Sequence, residues 1–226
     1  MDKTADQDLK EILSSRSASY AFLSRAYRQE MTVEILKTLG TATATPEDSE
    51  ASEGNRVLNR YLRGLDRADL KKVASDLAAE FAGLFLNASR QSVHPFESVY
   101  TSEERLLMQR ARDEVLNEYR RAGLERIQEF REPEDHIALE FEFMSNLCNK
   151  TLDSLQAHDR TAARESLEWQ KRFFDEHLNV WIPRFCKDLA RLAQSDFYRG
   201  TALLTAELLE TERETIPALL AELQAG

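Results

Sequence analysis

Glycine and proline are scarce in this sequence, with seven and five occurrences in 226 residues. Average usage would give about twice as many of each. Few turn-forming residues mean few turns, and few turns indicate long helices. Alanine, leucine, glutamate, arginine and glutamine are plentiful instead, and all five are strong helix formers.

Cysteine and long apolar runs are scarce as well. The two cysteines, Cys148 and Cys186, lack the close spacing of a redox or zinc motif, so we interpret them as reduced core residues. No run approaches the roughly 18 apolar residues of a membrane span. Residues 1–11 are polar and acidic, which does not fit a secretion signal. We therefore expect a cytoplasmic protein without membrane insertion.

Positive charge is in deficit, since the formal net charge is −10. Nucleic-acid binding depends on lysine and arginine at the phosphates, so we expect no nucleic-acid partner. An acidic surface fits a basic partner, although it serves solubility in many proteins.

Catalytic and cofactor-binding signatures are also absent. The sequence has no GxSxG motif, no P-loop and no Rossmann glycine fingerprint, and its scattered glycines cannot form a phosphate cradle. On these grounds an enzyme is possible but unsupported, and we assign no catalytic residue, no cofactor and no metal.

Helical periodicity dominates what is present, and no segment shows convincing strand alternation. The sequence predicts an all-α fold of roughly eight to ten helices in a single globular domain over residues 1–226, with a flexible loop at residues 40–55. A helix is predicted to begin at a capping box, Thr101–Glu104, and to end at Gly123. The next helix is predicted to have Pro133 at its first helical position and a broad apolar stripe from Ile137 to Leu155.

The stretch EPEDH, residues 132–136, allows two interpretations. Asp135 and His136 could form a small site at a helix N-terminus that binds a guanidinium group or exchanges a proton. Alternatively, Glu134 and Asp135 are ordinary first-turn acids and His136 is a capping residue, which is the more common situation.

Two further candidates lie nearby. His136 and Glu140 share a helix face with Glu132 one turn before, which is compatible with a metal-dependent hydrolase, although a second histidine at helical spacing is missing. In the segment HPFESVY, residues 94–100, aromatic residues flank a carboxylate in a break between helices. Such a loop either recognises an apolar peptide with basic residues or places its aromatic side chains in the core.

Four segments together resemble the TorD/DmsD/NarJ family of cytoplasmic chaperones for molybdoenzymes. They are RSASYAFLSRAYRQE (16–30), LAAEFAGLFL (77–86), HPFESVY (94–100) and EPEDHIALEFEFM (132–144), and the last is the most specific. The chain departs from the family at Asn87 and Ala88, where a Gly-Pro pair often stands. It also departs at Phe96 and Glu97, where some members have Trp-Gly.

The resemblance implies a TorD-like fold and a role in anaerobic respiration without catalysis. Family members bind the twin-arginine signal peptide or the N-terminal region of a molybdopterin oxidoreductase, and hold it until the cofactor is inserted.

Asp135 and Glu97 are our candidates for pairing with guanidinium groups, and His136 either holds Asp135 or contacts the peptide. The full predicted signal-peptide-binding set is Phe85, Phe96, Glu97, Ser98, Val99, Tyr100, Glu132, Pro133, Asp135 and His136. The partner is the catalytic subunit of the oxidoreductase, and the chaperone is a monomer or a dimer. The alternatives are the hydrolase and a structural adaptor that ignores the leader peptide.

Overall fold

The computed structural model of the protein describes residues 3–42, 52–89, 91–124 and 130–225. These residues form ten α-helices and no β-strand, which confirms the predicted all-α class. The helices are α1 (Lys3–Arg28), α2 (Val33–Ala42), α3 (Glu53–Arg63), α4 (Leu70–Phe85), α5 (Glu97–Thr101), α6 (Arg110–Arg121), α7 (Ile137–Gln156), α8 (Arg160–Phe173), α9 (Asn179–Leu192) and α10 (Asp196–Ala225). A 3-10 turn (Gly64–Arg67) follows α3, and a turn of π-helix (Phe174–Leu178) joins α8 to α9.

The chain divides into two compact units. The first unit contains Met1–Arg25, Phe96–Ile182 and Leu209–Gly226, and the second contains Ala26–Pro95 and Pro183–Leu208. Each unit therefore combines segments that are far apart in the sequence. That residues 1–226 form a single domain stays a prediction.

Helix α7 carries a broad apolar surface in the first unit. Its predicted stripe is buried at every position that defines it: Ile137, Phe141, Met144, Cys148 and Leu155. Phe143 widens this stripe and packs against Phe173 of α8, with the two ring centroids 4.7 Å apart. A helix that is apolar over so much of its circumference is enclosed by its neighbours, as the pattern predicted.

The first unit also encloses a buried ion pair between α1 and α10. The guanidinium of Arg16 donates to both carboxylate oxygens of Glu212, at 2.7 and 2.5 Å. The hydroxyl of Tyr20 donates to the same carboxylate at 2.9 Å, and Gln170 of α8 accepts from Arg16 at 2.8 Å. Both charges are almost fully buried, and a pair in that setting is stable only when such additional hydrogen bonds satisfy it.

In the second unit, α3 and α10 approach closely at two glycines. A Cβ atom on Gly54 would lie 2.4 Å from the backbone nitrogen of Leu204, and one on Gly200 would lie 2.9 Å from that of Leu58. Glu207 accepts from the amide of Gly54 at 2.8 Å, at the start of α3. The absence of a side chain at these two positions therefore permits the crossing.

Both cysteines are buried and unpaired, as predicted. Burial raises the pKa of the Cys148 thiol to about 11. Since the thiolate is the reactive form, both side chains serve packing rather than chemistry. No helix in the part of the chain that the structure describes combines the length and apolarity needed to cross a membrane.

Two predicted helix starts are wrong. No helix begins at the capping box Thr101–Glu104, because the hydroxyl of Thr101 donates back to the carbonyl of Glu97 within α5, and α6 begins only at Arg110. Pro133 does not occupy the first helical position, because residues 133–136 form a turn in which the amide of His136 donates to the carbonyl of Pro133 at 3.1 Å. Helix α7 begins after this turn, at Ile137.

Two left-handed residues end helices as the sequence suggests. Gly123, with φ of 70°, follows α6 at the predicted position, and Asn87, with φ of 57°, follows α4. Asparagine is the usual substitute for glycine in this conformation, which accounts for Asn87 where the resembling family often has glycine. At the predicted loop 40–55, helix α2 extends to Ala42 and α3 starts at Glu53, while residues 43–51 lie outside the described residues.

Candidate functional site

Parts of two of the family-like segments, residues 96–100 and 132–136, meet in the first unit. Phe96 and His136 form an isolated antiparallel bridge, and the amide of Glu97 donates to the carbonyl of Asp135 at 3.0 Å. The segment before α5 and the turn before α7 therefore run side by side, and their polar side chains share one region. We refer to Glu97, Asp135 and Glu140 below as the acid cluster.

Asp135 holds α5 in place. Its carboxylate accepts from the amide of Ser98 at 2.8 Å, while the N-cap residue of α5, Phe96, has no capping side chain. A distant aspartate thus replaces the usual local cap. Asp135 has no exposed surface, and this burial raises the pKa of its carboxyl group.

His136 is the N-cap of α7. Its Nδ1 accepts from the amide of Ala138 at 3.1 Å, so Nδ1 carries no proton and a proton on the neutral ring is at Nε2. The ring packs edge-on against Phe96 and Phe130, with centroid distances of 5.0 and 5.2 Å. These contacts agree with the interpretation of His136 as a capping residue.

Glu97 is buried and faces a histidine that is 80 positions away in the sequence. His177 Nδ1 lies 2.9 Å from Glu97 Oε2, and both side chains are about 95% buried. His177 also lines a cavity of about 890 Å³ beside α6, whose residues from Arg110 to Arg121 form most of the remaining wall. The Glu97 carboxylate is therefore one side chain away from this cavity.

Glu140 completes the acid cluster from the first turn of α7. It has no exposed surface, and its Oε2 accepts from the indole nitrogen of Trp181 at 3.0 Å. Burial, followed by the negative charges of Glu97 and Asp135, raises the pKa of Glu140 well above its ordinary value. The alternative of a metal-dependent hydrolase would use Glu140 together with His136 and Glu132, but the described residues contain no group of three or more side chains able to hold a metal ion.

Sequence reasoning missed His177 and Trp181. They come from the π-helical turn and α9, and each is about 40 to 80 positions from its partner. No local motif marks either residue. His177 lies in the π-helical turn, a feature often found at functional sites, and this turn is visible only in the structure.

The edge of the site is partly exposed. Of the predicted binding residues, Val99, Tyr100, Glu132 and Pro133 are half-buried, whereas Phe96, Ser98 and the others in this unit are buried. The tenth predicted residue, Phe85, belongs to the second unit. There it packs against Tyr27 and Tyr198, with ring centroids 6.0 and 5.8 Å apart.

An exposed apolar turn follows α5 and was not predicted. Leu106, Leu107 and Met108 are 53%, 43% and 57% exposed. The turn folds back onto α5, because the amide of Gln109 donates to the hydroxyl of Ser98 at 3.2 Å. Three large apolar side chains in a row on a surface indicate an interaction site rather than packing.

Comparisons with known proteins extend over most of the chain. Residues 45–187 match the model of a protein family described as nitrate reductase delta subunit. A protein named chaperone protein TorD from Vibrio cholerae is 26% identical over 222 residues, which cover 96% of this chain and 98% of the relative. Chaperone protein TorD from Photobacterium profundum is 31% identical over 174 residues, which cover 76% of each chain. The family match includes α5 to α7 and therefore the whole acid cluster.

Proposed function

Because the chain belongs to the nitrate reductase delta subunit family and its relatives are named chaperones, we propose that it is a non-catalytic chaperone for the maturation of a molybdopterin oxidoreductase. It binds the twin-arginine signal peptide or the N-terminal region of the catalytic subunit. It holds this client in the cytoplasm until the cofactor is inserted.

The observation that carries this proposal is the position of buried acids next to an exposed apolar turn. Leu106, Leu107 and Met108 follow α5, and α5 begins at Glu97 of the acid cluster. A twin-arginine leader has the complementary order, two guanidinium groups followed by an apolar stretch. Carboxylates pair with guanidinium through bidentate hydrogen bonds, and the net charge of −10 would attract the basic peptide.

We assign the peptide contacts in two layers. Val99, Tyr100, Glu132 and Pro133 meet the peptide first, since they are partly exposed. Asp135 and Glu97 pair with arginine once α5 has shifted. Ser98 positions Asp135 through its amide, and Phe96 and His136 pack against each other beside the two acids. Phe85 stays a predicted member of the set on the grounds of the family resemblance alone.

The alternatives predict different behaviour. A metal-dependent hydrolase is not favoured, because the relatives are named chaperones. A structural adaptor would bind a folded partner and would be indifferent to a leader peptide.

Calorimetric titration with a synthetic twin-arginine leader peptide tests the proposal. We expect saturable binding by the wild-type protein, and binding weakened about tenfold or more by Leu107→Ser, because the apolar contact is lost. The matched control is Leu86→Ser, which replaces another exposed leucine, 55% exposed against 43% for Leu107, in the second unit. This variant should leave affinity unchanged. Equal losses in both variants, or no heat with the wild-type protein, would contradict the proposed site.

A further inference from the structure

The acid cluster is enclosed within the first unit by elements that are distant in sequence. Glu97 starts α5, Asp135 precedes α7 and Glu140 lies in its first turn, and the exposed fractions of the three are 3%, 0% and 0%. His177 and Trp181 close the cluster from the π-helical turn and α9. Three carboxyl groups thus share one volume from which solvent is largely excluded.

The acid cluster has fewer hydrogen-bond donors than carboxyl oxygens. One oxygen of each carboxyl group has a donor: Ser98 for Asp135, Trp181 for Glu140 and His177 for Glu97. Asp135 Oδ1 and Glu140 Oε1 are buried without any partner. Among the described residues, no lysine or arginine forms an ion pair with the three acids. Buried, unpaired carboxylate oxygens are costly.

A retained proton resolves part of this mismatch. When Glu140 is protonated it can donate to Glu97, and this contact adds to burial and to the charges of Glu97 and Asp135 in raising the pKa of Glu140. Burial raises the pKa of Asp135 as well. Like charges in one buried site oppose each other's ionisation, which favours a proton retained within the cluster.

The other titratable groups around the cluster do not supply a compensating charge. Tyr119 of α6 is half-buried, and its pKa is raised, first by burial and then by the negative charges of Glu140, Asp135 and Glu97. Glu134 is an additional acid, but Arg112 neutralises it through a 2.5 Å contact. His177 is the one described basic group in contact with the acids, and it contacts only Glu97.

On the basis of the proposed function, we propose that an arginine of the leader peptide replaces the stored proton, so that peptide binding releases a proton from the acid cluster. The O–H bond of the protonated carboxyl group breaks and the proton passes to solvent. The guanidinium, which is already charged, then donates to the carboxylate oxygens in its place. Its five donors form a planar fork that suits oxygens from neighbouring carboxylates.

The structure offers a route for the exchange. Helix α5 has only five residues and depends on Asp135 for its cap. The turn after it contains two left-handed residues, Arg105 and Met108, with φ of 54° and 61°, a conformation that is unfavourable for side chains of this size. Displacing α5 exposes the cluster, while His177 connects Glu97 to the cavity beside α6.

Titration of the full chain in buffers of different ionisation enthalpy measures the exchanged protons directly. We expect about one proton to be released for each twin-arginine peptide bound. Because release is favoured when protons are scarce, affinity should rise about tenfold for each unit by which pH increases, as long as pH stays below the pKa of the cluster, and should level off above it. Glu140→Gln, a neutral isostere, should abolish the release and weaken binding. Asp153→Asn, an exposed change on the same helix, should do neither.

The possible results separate this inference from the proposed function. Saturable binding with the same observed enthalpy in every buffer would overturn proton exchange and leave peptide binding intact. The absence of any wild-type binding would overturn both. Because the release is measured on the wild-type protein, the test does not depend on the folding of Glu140→Gln.

Discussion

Each acid of the cluster has its own structural partner, so single substitutions have different consequences. Asp135 caps α5 through Ser98, Glu97 meets His177, and Glu140 receives the indole of Trp181. The acids therefore hold neighbouring elements through hydrogen bonds and also supply negative charge. Replacing a carboxyl group by an amide of the same shape separates these two roles.

Asp135→Ala should destabilise the protein by about 1–2 kcal/mol, because α5 loses its only side-chain cap. Asp135→Asn keeps an oxygen that can accept from the amide of Ser98, so it should cost less. Urea unfolding of both variants measures the difference. If the two variants are equally stable, Asp135 does not act as the cap.

Glu140 should make the stability of the protein fall as pH rises. Its pKa in the folded state is raised above its ordinary value, first by burial, so between these two pKa values the folded state binds more protons than the unfolded state. The free energy of unfolding then decreases with increasing pH. Wild type should lose stability relative to Glu140→Gln from about pH 5 upward, in thermal unfolding followed at several pH values. A constant difference across this range would contradict a raised pKa.

At the scale of elements, regular periodicity was predictable and tertiary contacts were not. The stripe of α7 and the left-handed Gly123 were predicted from local pattern. The start of α6 was not, because the residues before it are held by a contact between Gln109 and Ser98 of α5. The start of α7 was not either, because residues 133–136 form a turn ahead of the helix. Asp135 and Glu97 were candidates from their motifs, whereas His177 and Trp181 reach the acid cluster only through contacts across 80 and 41 positions of the sequence.

The crossing of α3 and α10 in the second unit should be sensitive to a single methyl group. Gly54→Ala should cost about 1–3 kcal/mol or more, because the new Cβ meets the backbone of Leu204, which cannot move independently. Gly64→Ala is the matched control, since nothing lies within 4 Å and φ is −65°. It should be neutral or slightly stabilising. Chemical denaturation measures the free energy of unfolding of both variants. Similar losses of stability in the two would argue against a close crossing of α3 and α10 at Gly54.

At the scale of the whole molecule, contacts between distant segments hold the first unit together. Arg16 and Glu212 are 196 positions apart and join the first and last helices of the chain. The unit therefore cannot be complete until α10 has been synthesised. A composition rich in helix formers predicts the helices, but it contains no information about which of them pair.

Breaking this ion pair should be strongly destabilising. Glu212→Ala leaves the Arg16 guanidinium buried without its counterion, at a cost of about 3–5 kcal/mol. Arg16→Met/Glu212→Leu removes both charges and should recover much of the loss. Glu210→Ala, which removes an exposed partner of Arg213 on the same helix, should change stability little. Equilibrium unfolding of the three variants measures these differences in stability. A double variant as unstable as Glu212→Ala would show that the unpaired charge of Arg16 is not the cause of the loss.

One comparison tests the proposed chaperone function most directly. It measures the affinity of the protein for a twin-arginine leader peptide and for the same peptide with both arginines replaced by lysine. The charge is identical in the two peptides, but only guanidinium forms bidentate pairs with the carboxylates. We expect the twin-arginine peptide to bind at least about tenfold more tightly, which corresponds to roughly 1.4 kcal/mol. Equal affinity for the two peptides, or no binding of either, would contradict recognition of the leader by the acid cluster.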